Sequence, residues 1–373
     1  MNFLAFLLII SASLSVGAST IEEIVVTADL KEQSEIKIAS SIFVVSEDAI
    51  ATRAAMHLEE VLNSIPNLNF ASGSNRPRFF QIRGVGERSQ FGSPVNASVG
   101  FLVDDIDFSG AGTIASMLDV EQIEVLRGPQ GTRHGASALG GLIKVKTKDP
   151  SSKQELELKI THGQYATQNF DLIMNTPVSD QLLLRAAFSD LESDGYMYNQ
   201  FLDRSDANGR NESTSRIKMR WLPSNRWVVD VSLANTEIDN GYDTFSLDNN
   251  RVTLSDEPGF DRQKSKYASI KSKWLGQNYE ITTILGAANS DIDYGYDEDW
   301  SFTGIHPFGY TSTDRYLRER KTRSAELRVN SLSEFSWVAG FYFFDSNEAL
   351  LRDYTFLTNN FSSNYEFKSY AVF

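Results

Sequence analysis

The sequence predicts a small α+β domain followed by a series of long antiparallel β-strands, and three observations carry that prediction. Residues 40–150 mix helix-spaced apolar positions with short β-branched runs broken by glycine. Beyond Pro150 the helical period disappears, and apolar and polar residues alternate along extended stretches. The connections between those stretches are alternately short and long. A soluble sandwich scatters its loop lengths, whereas a transmembrane β-barrel has short turns at one rim and long loops at the other. The barrel fits better. A secreted all-β sandwich stays open on pattern alone, because strand-end Trp and Tyr occur there too.

Taken in order, residues 1–18 read as a cleaved export signal. An apolar run from Phe3 to Val16 precedes small residues around Ala18, although the leader lacks Lys and Arg. Ile50, Ala54, Leu58, Val61, Leu62 and Ile65 recur at helix spacing and predict one packed helix ended by Pro66. Residues 79–147 hold short strand-like runs, among them FFQIRGVG, SVGFLVDD, IEVLRGP and LIKVKT. After Pro150, Leu156, Leu158 and Ile160 open a strand, Leu182, Leu184, Ala186 and Phe188 another, and Ile217, Met219 and Trp221 a third. Short turns fall near Thr176, Pro223, Gly276 and Leu332, and long polar loops span residues 191–211, 236–264, 290–321 and 345–364. Trp221, Trp227, Trp274, Tyr279 and Trp337 sit beside the short turns, where an interfacial girdle would lie.

Composition removes several functions. A chain of 373 residues with 41% hydrophobic residues has ample material for a core, and a formal charge of −14 argues against a nucleic-acid surface. The absence of cysteine excludes disulfides, thiolate metal sites and cysteine nucleophiles. His57, His134, His162 and His306 share no ligand spacing, and Asp104, Asp105 and Asp107 lack the pattern of a calcium loop, so they read as a solvated turn; neither a metal site nor a cofactor is expected.

The stretch EVLRGPQGTRHGASALGGLIKVKT, residues 124–147, packs five glycines between two strand-like ends. It is neither a phosphate loop, since Gly140 is followed by Gly141 and Leu142, nor a nucleophile elbow, since Gly135 and Gly140 are one residue too far apart. No nucleophile–base pair appears elsewhere, and an enzyme is not expected.

IEEIVVTA at residues 21–28, then QIRGVG, VGFLVDDI and LDVEQIEVLRGPQGTRHGASALGG in that order, resemble the TonB-dependent receptors, plugged outer-membrane transporters of iron chelates, cobalamin and some sugars. The resemblance implies a signal peptide at 1–18, a TonB-box segment and linker at 19–39, a plug domain at 40–150 and a partial transmembrane barrel at 151–373. It implies that Ile21, Glu22, Glu23, Ile24, Val25, Val26, Thr27 and Ala28 bind TonB, with its inner-membrane energising complex. An extended, alternating segment of this kind suits strand addition to a partner's sheet edge. The resemblance also implies that Arg83, Glu124 and Arg127 lock plug to wall, with Gly84, Gly128, Gly131, Gly135, Gly140 and Gly141 allowing the tight turns between. His134, often aromatic in the family, and Asp105, often glycine, depart from the pattern and put local plug packing in doubt.

Expected partners are TonB, a small-molecule ligand such as a metal chelate, and outer-membrane lipid, with a monomeric chain in the Gram-negative outer membrane. Arg88, Gln90, Phe91 and Phe108, in apical loops at residues 87–97 and 106–116, are the ligand contacts to examine, against the plainer view that they are solvated loop residues. About ten strands follow Glu155, whereas a lumen that holds a plug belongs to barrels of roughly 22. The chain therefore reads as the N-terminal fragment of a receptor for a scarce ligand such as a ferric siderophore, its sheet left with an open edge. A non-transporting outer-membrane or secreted adhesin is the alternative.

Overall fold

The fold is described from a computed structural model that covers residues 25–26, 33–34, 41–70, 72, 76–87, 97–130, 138–305, 310–356 and 360–373. The expected signal at residues 1–18 lies outside the described residues. The N-terminal domain holds β1 (Val25–Val26), β2 (Gln33–Ser34), β3 (Ser41–Ser46), α1 (Glu47–Thr52), α2 (Glu59–Leu62), β4 (Leu68–Phe70), β5 (Phe80–Ile82), β6 (Val99–Val103), β7 (Ile106–Asp107), β8 (Val120–Arg127) and β9 (Gly141–Thr147). Five of these strands form a mixed sheet ordered β3-β8-β9-β6-β7, in which β6 runs parallel to β9. Leu58, Val61, Leu62, Phe80, Phe101, Ile123 and Ile143 are buried as its core.

The single helix expected through Ile65 is two short ones. α1 ends where Ala54 takes a φ of 49° and donates its N–H back to Ala51 O, and Ala54 is exposed. His57 is drawn out of any helix by a bridge to Ser116 and by its Nε2, 3.0 Å from Thr113 O. Ile50, Leu58, Val61, Leu62 and Ile65 are nonetheless buried, so the apolar spacing marked the buried face correctly while tertiary contacts broke the helix.

Beyond it lie β10 (Glu155–His162), β11 (Gln168–Ser179), β12 (Leu182–Ser193), β13 (Tyr198–Asn199), β14 (Arg210–Ser224), β15 (Trp227–Gly241), β16 (Val252–Thr253), β17 (Phe260–Leu275), β18 (Tyr279–Asp297), β19 (Thr313–Ser331), β20 (Val338–Tyr354) and β21 (Phe361–Val372). Ten of them make one antiparallel meander in the order β10-β11-β12-β14-β15-β17-β18-β19-β20-β21, with β10 and β21 each paired on one side. β13 and β16 form a small parallel pair within the long loops.

Side chains in this wall are inverted relative to a soluble sheet. Leu158, Leu172, Phe188, Ile217, Leu233, Ile270, Leu285, Leu327 and Phe341 are exposed, while Arg185, Lys218, Gln263, Ser265, Arg318 and Arg320 are buried against the N-terminal domain. That is the alternation of a strand with lipid on one side and a filled interior on the other. Trp221 and Trp227, 6.1 Å apart, and Trp274 and Tyr279, 5.8 Å apart, stand at the short-turn rim.

Candidate functional site

A carboxylate or guanidinium buried in a protein interior must be paired, because desolvation costs several kcal/mol per ion. The face between domain and wall is built from such pairs. Arg76 reaches Glu212 on β14 through Nε at 2.7 Å and Nη2 at 2.9 Å, and also meets Glu59. Arg78 binds Asp261 on β17. Asp119 takes a two-pronged contact from Arg185 at 2.6 and 2.7 Å, and Asp107 one from Arg320 at 2.7 Å. Asp104 meets Lys218 at 3.3 Å, and Asp105 lies 3.0 Å from Lys271 and 3.4 Å from Lys144. Arg216 and Arg318 add bonds to Leu118 O and Gly110 O, both 3.1 Å.

These contacts correct the solvated turn expected of Asp104, Asp105 and Asp107. The turn between β6 and β7 presents them to inward-facing lysines and arginines of the wall. Burial alone would raise the Asp105 carboxyl, but Lys271 and Lys144 outweigh it and hold the group well below the usual carboxylate range. Asp149, beside Lys218 and Arg220, is lowered in the same way against its burial. Burial, aided by Arg76, holds His57 well below its ordinary value, so it is neutral.

The residues expected to lock the two parts are placed differently. Arg83 is exposed, at a φ of 52°, and donates to Ser41 Oγ at 3.1 Å within its own domain. Arg127 donates to Pro66 O and Ile42 O, also within the domain. Among the described residues their hydrogen bonds stay inside the domain, and the wall's charges are met by others. Glu124 is fully buried and accepts from Gln122 Nε2 at 2.8 Å. Sequence reasoning missed Arg76, Arg78 and Asp119; the available signal was Arg185, Lys218, Lys271 and Arg320 at inward positions of strands whose other face is apolar.

Of the glycines, Gly84 and Gly128 take positive φ, 78° and 111°. Gly141 has a φ of 151°, and a Cβ there would stand 2.4 Å from Leu126 O, so β8 and β9 can meet only around a glycine. Beside Gly140 a Cβ would stand 2.9 Å from Val85 Cγ1. Gly131 and Gly135 lie outside the described residues.

Within residues 21–28, Val25 and Val26 are described; Ile21, Glu22, Glu23, Ile24, Thr27 and Ala28 are not. Val25 pairs with Ser34 and Val26 with Gln33, and the Val26 side chain is fully buried among Leu102, Leu126, Ala138 and Leu142. Arg88, Gln90 and Phe91 also fall outside the described residues. Phe108 has no exposed surface and packs edge-on against Tyr267, 5.7 Å between centroids, so it is a core residue here and not a ligand contact. Residues 106–116 as a whole pack against β17 and β19 instead of forming an open loop.

At the long-loop end a ladder of rings and guanidinium groups runs from the domain to the rim. Arg78 lies 4.0 Å over Tyr294, which stacks on Tyr316 at 5.1 Å. Arg352 lies 5.4 Å over Tyr316 and 4.7 Å over Tyr354, and Tyr310 meets Phe356 at 4.8 Å. Both guanidinium groups are already paired, Arg78 with Asp261 and Arg352 with Asp314 at 2.7 and 2.8 Å, so what the ladder leaves open at the rim is aromatic surface such as Tyr310.

A charged domain seated against strands with apolar outer faces is the architecture of a plugged outer-membrane barrel. Residues 34–142 match the TonB-dependent Receptor Plug Domain. The chain is 26% identical over 348 residues to the ferric enterobactin receptor of Pseudomonas aeruginosa, covering 87% of this chain and 44% of that one. It is 29% identical over 209 residues to the pesticin receptor of Yersinia pestis, and 25% over 221 to the vitamin B12 transporter BtuB of Vibrio vulnificus, covering 54% and 57% of this chain but 30% and 35% of theirs. The fold superposes on the ferric yersiniabactin uptake receptor FyuA from Yersinia pestis with a TM-score of 0.74 at 19% identity, over 89% of this chain and 61% of that one. The ferripyoverdine receptor of Pseudomonas aeruginosa bound to ferripyoverdine gives 0.72 at 14%, over 89% and 46%. Residues 34–142 therefore carry the plug domain of the TonB-dependent receptors, and the relatives that the chain resembles are receptors and transporters, not enzymes. The chain spans less than half the length of the curated relatives named here.

Proposed function

We propose that these residues are the plug and the first part of the barrel wall of a receptor that takes up a scarce small chelate, of the ferric siderophore kind, by TonB-driven movement of the plug. The observation that carries this is the burial of Val26. A segment suited to strand addition is docked on the same β8–β9 sheet whose loops and flanks reach the wall, so withdrawing it pulls on the plug directly. Residues 21–28 bind TonB, residues 1–18 direct export, and the chain sits as a monomer in outer-membrane lipid. The Arg352–Tyr354 and Tyr310–Phe356 rim receives the ligand through its aromatic faces. The intact mass of the protein in its native membrane, set against 41.7 kDa, tells whether the receptor extends beyond these residues.

The test is uptake of labelled ferric chelates by iron-starved cells, with and without Val26→Pro. Uptake abolished and surface binding kept supports the proposal. Unchanged uptake removes TonB from it, and binding without any uptake in the unmodified protein favours the adhesin.

A further inference from the structure

Above the lipid-facing part of the wall, the loop before β17 and the loop between β18 and β19 are knotted together by polar groups. Asp256 N donates to Ser301 O at 3.1 Å, Glu298 N to Ser312 O at 2.8 Å, and Ser312 N to Asp299 Oδ2 at 2.9 Å. Asp297 Oδ1 accepts from the N–H groups of Asp299 and Trp300 at 3.1 and 3.2 Å. Inside this knot the other oxygens are orphaned. Asp297 Oδ2, Asp256 Oδ1, Glu298 Oε2 and Ser312 Oγ are buried with no hydrogen-bond partner, and Ser255 Oγ faces the Asp297 carboxyl without closing a bond of normal geometry. Asp297, Ser255 and Ser312 are 4%, 1% and 1% exposed. The charges that Asp297 feels are those of Asp299 and Asp256, which repel it. Buried carboxylates are either paired with a cationic group or bound to a metal, and every orphan here is an oxygen, the donor type of hard divalent cations.

We propose that this knot is a calcium site, with Asp297 and Asp256 as its carboxylate ligands, joining the two extracellular loops. Asp299 is not a ligand, since both its oxygens are taken by Ser301 and Ser312. Among the described residues no three acidic or histidine side chains converge on one point, so Glu298 is left out and two carboxylates, the serine hydroxyls and water make up the shell. So few charges predict a dissociation constant on the order of 10⁻⁴–10⁻³ M, the range of extracellular calcium modules. The site sits on the outer surface, where such affinity is useful. A bound ion would hold Trp300, which stacks on Phe245 at 4.9 Å, in place over the lumen.

Trp300 also supplies the readout, because it can sensitise terbium luminescence. The full chain in detergent is titrated with Tb³⁺ alone, then with Ca²⁺ as competitor, alongside Asp297→Asn, Asp256→Asn and the exposed control Asp239→Asn. The expected result is saturable emission displaced by Ca²⁺, weakened about tenfold or more in the first two variants and unchanged in the third. A calcium-dependent rise in the melting temperature of the unmodified protein, reversed by chelator, gives a second measurement independent of variant folding. Absence of both signals, or emission equally strong in Asp297→Asn and Asp256→Asn, overturns the site. So does a protein that is indifferent to calcium and is stabilised by Asp297→Asn, since the site then calls for a neutral side chain and not for a cation.

Discussion

At the scale of single residues, the plug depends on charges that have left water together. Asp107 and Arg320 are both nearly buried and meet at 2.7 Å, and removing one strands the other. Asp107→Ala should destabilise the protein by about 3 kcal/mol, with Glu348, 3.8 Å from Arg320, limiting the loss. Urea unfolding of Asp107→Ala, Arg320→Met and the double variant checks this, the double being less damaging than the sum of the singles. His57 predicts a pH dependence. Its folded pKa is lowered by burial and Arg76, so the unfolded chain takes up a proton that the folded chain refuses. Stability is therefore full above the unfolded value of about 6.5 and falls as pH drops below it, by up to about 1.4 kcal/mol per pH unit until the folded value is reached. His57→Gln should flatten the slope of melting temperature between pH 7.5 and pH 5.5, and an unchanged slope would assign the effect elsewhere.

At the scale of elements, Gly141→Ala places a methyl group 2.4 Å from Leu126 O at a φ of 151° and should cost about 1–3 kcal/mol or more. Gly84→Ala, where nothing lies within 4 Å, is left with the backbone term alone at a φ of 78° and should cost less in the same melting assay. This difference was only half visible in the sequence. Glycine density announced tight turns, and strict alternation announced the strands of the wall, because both are local consequences of backbone sterics and a two-residue period. The break between α1 and α2 was not visible, since it comes from His57 reaching Ser116 and Thr113 about sixty positions away. Nor were the plug-to-wall pairs. Arg83 and Arg127 stood out by motif, but partner choice is decided by which strand faces which turn, and that brought Arg76, Arg78, Asp104 and Asp119 to the wall instead. Orphaned oxygens in the loops are invisible to sequence for the same reason, as Ser255, Asp297 and Ser312 share no spacing.

At the scale of the whole molecule, the contacts between plug and wall are unevenly distributed, and that unevenness predicts which part moves. Residues 76–119 are held by Arg76, Arg78, Asp104, Asp105, Asp107 and Asp119. Residues 41–70, among the described residues, make one ion pair to the wall, Glu59 with Arg210 at 3.5 Å, and His57 and Glu60 add only longer-range interactions with Glu212 and Arg210. A cavity of about 130 Å³, lined by Ile50, His57, Asn169, Glu212 and Thr236, separates α1 from strands β11–β15. β3 is moreover an edge strand, bonded on one side to β8, and it is the first strand of the five-stranded sheet after the segment proposed to be pulled. A force on residue 26 should therefore peel β3, α1 and α2 away while the riveted half stays. Opposed residues of an antiparallel pair have Cα atoms about 4.5–5.5 Å apart, within disulfide range, and the chain has no cysteine of its own to interfere. Phe43→Cys with Val125→Cys, opposed across β3 and β8, should block uptake until reductant is added, with ligand binding intact. Val125→Cys with Ile143→Cys, opposed across β8 and β9, should leave uptake running. If both locks block, the plug moves as one body and the division at residue 70 is wrong; if neither does, the path opens without breaking the β3–β8 pairing.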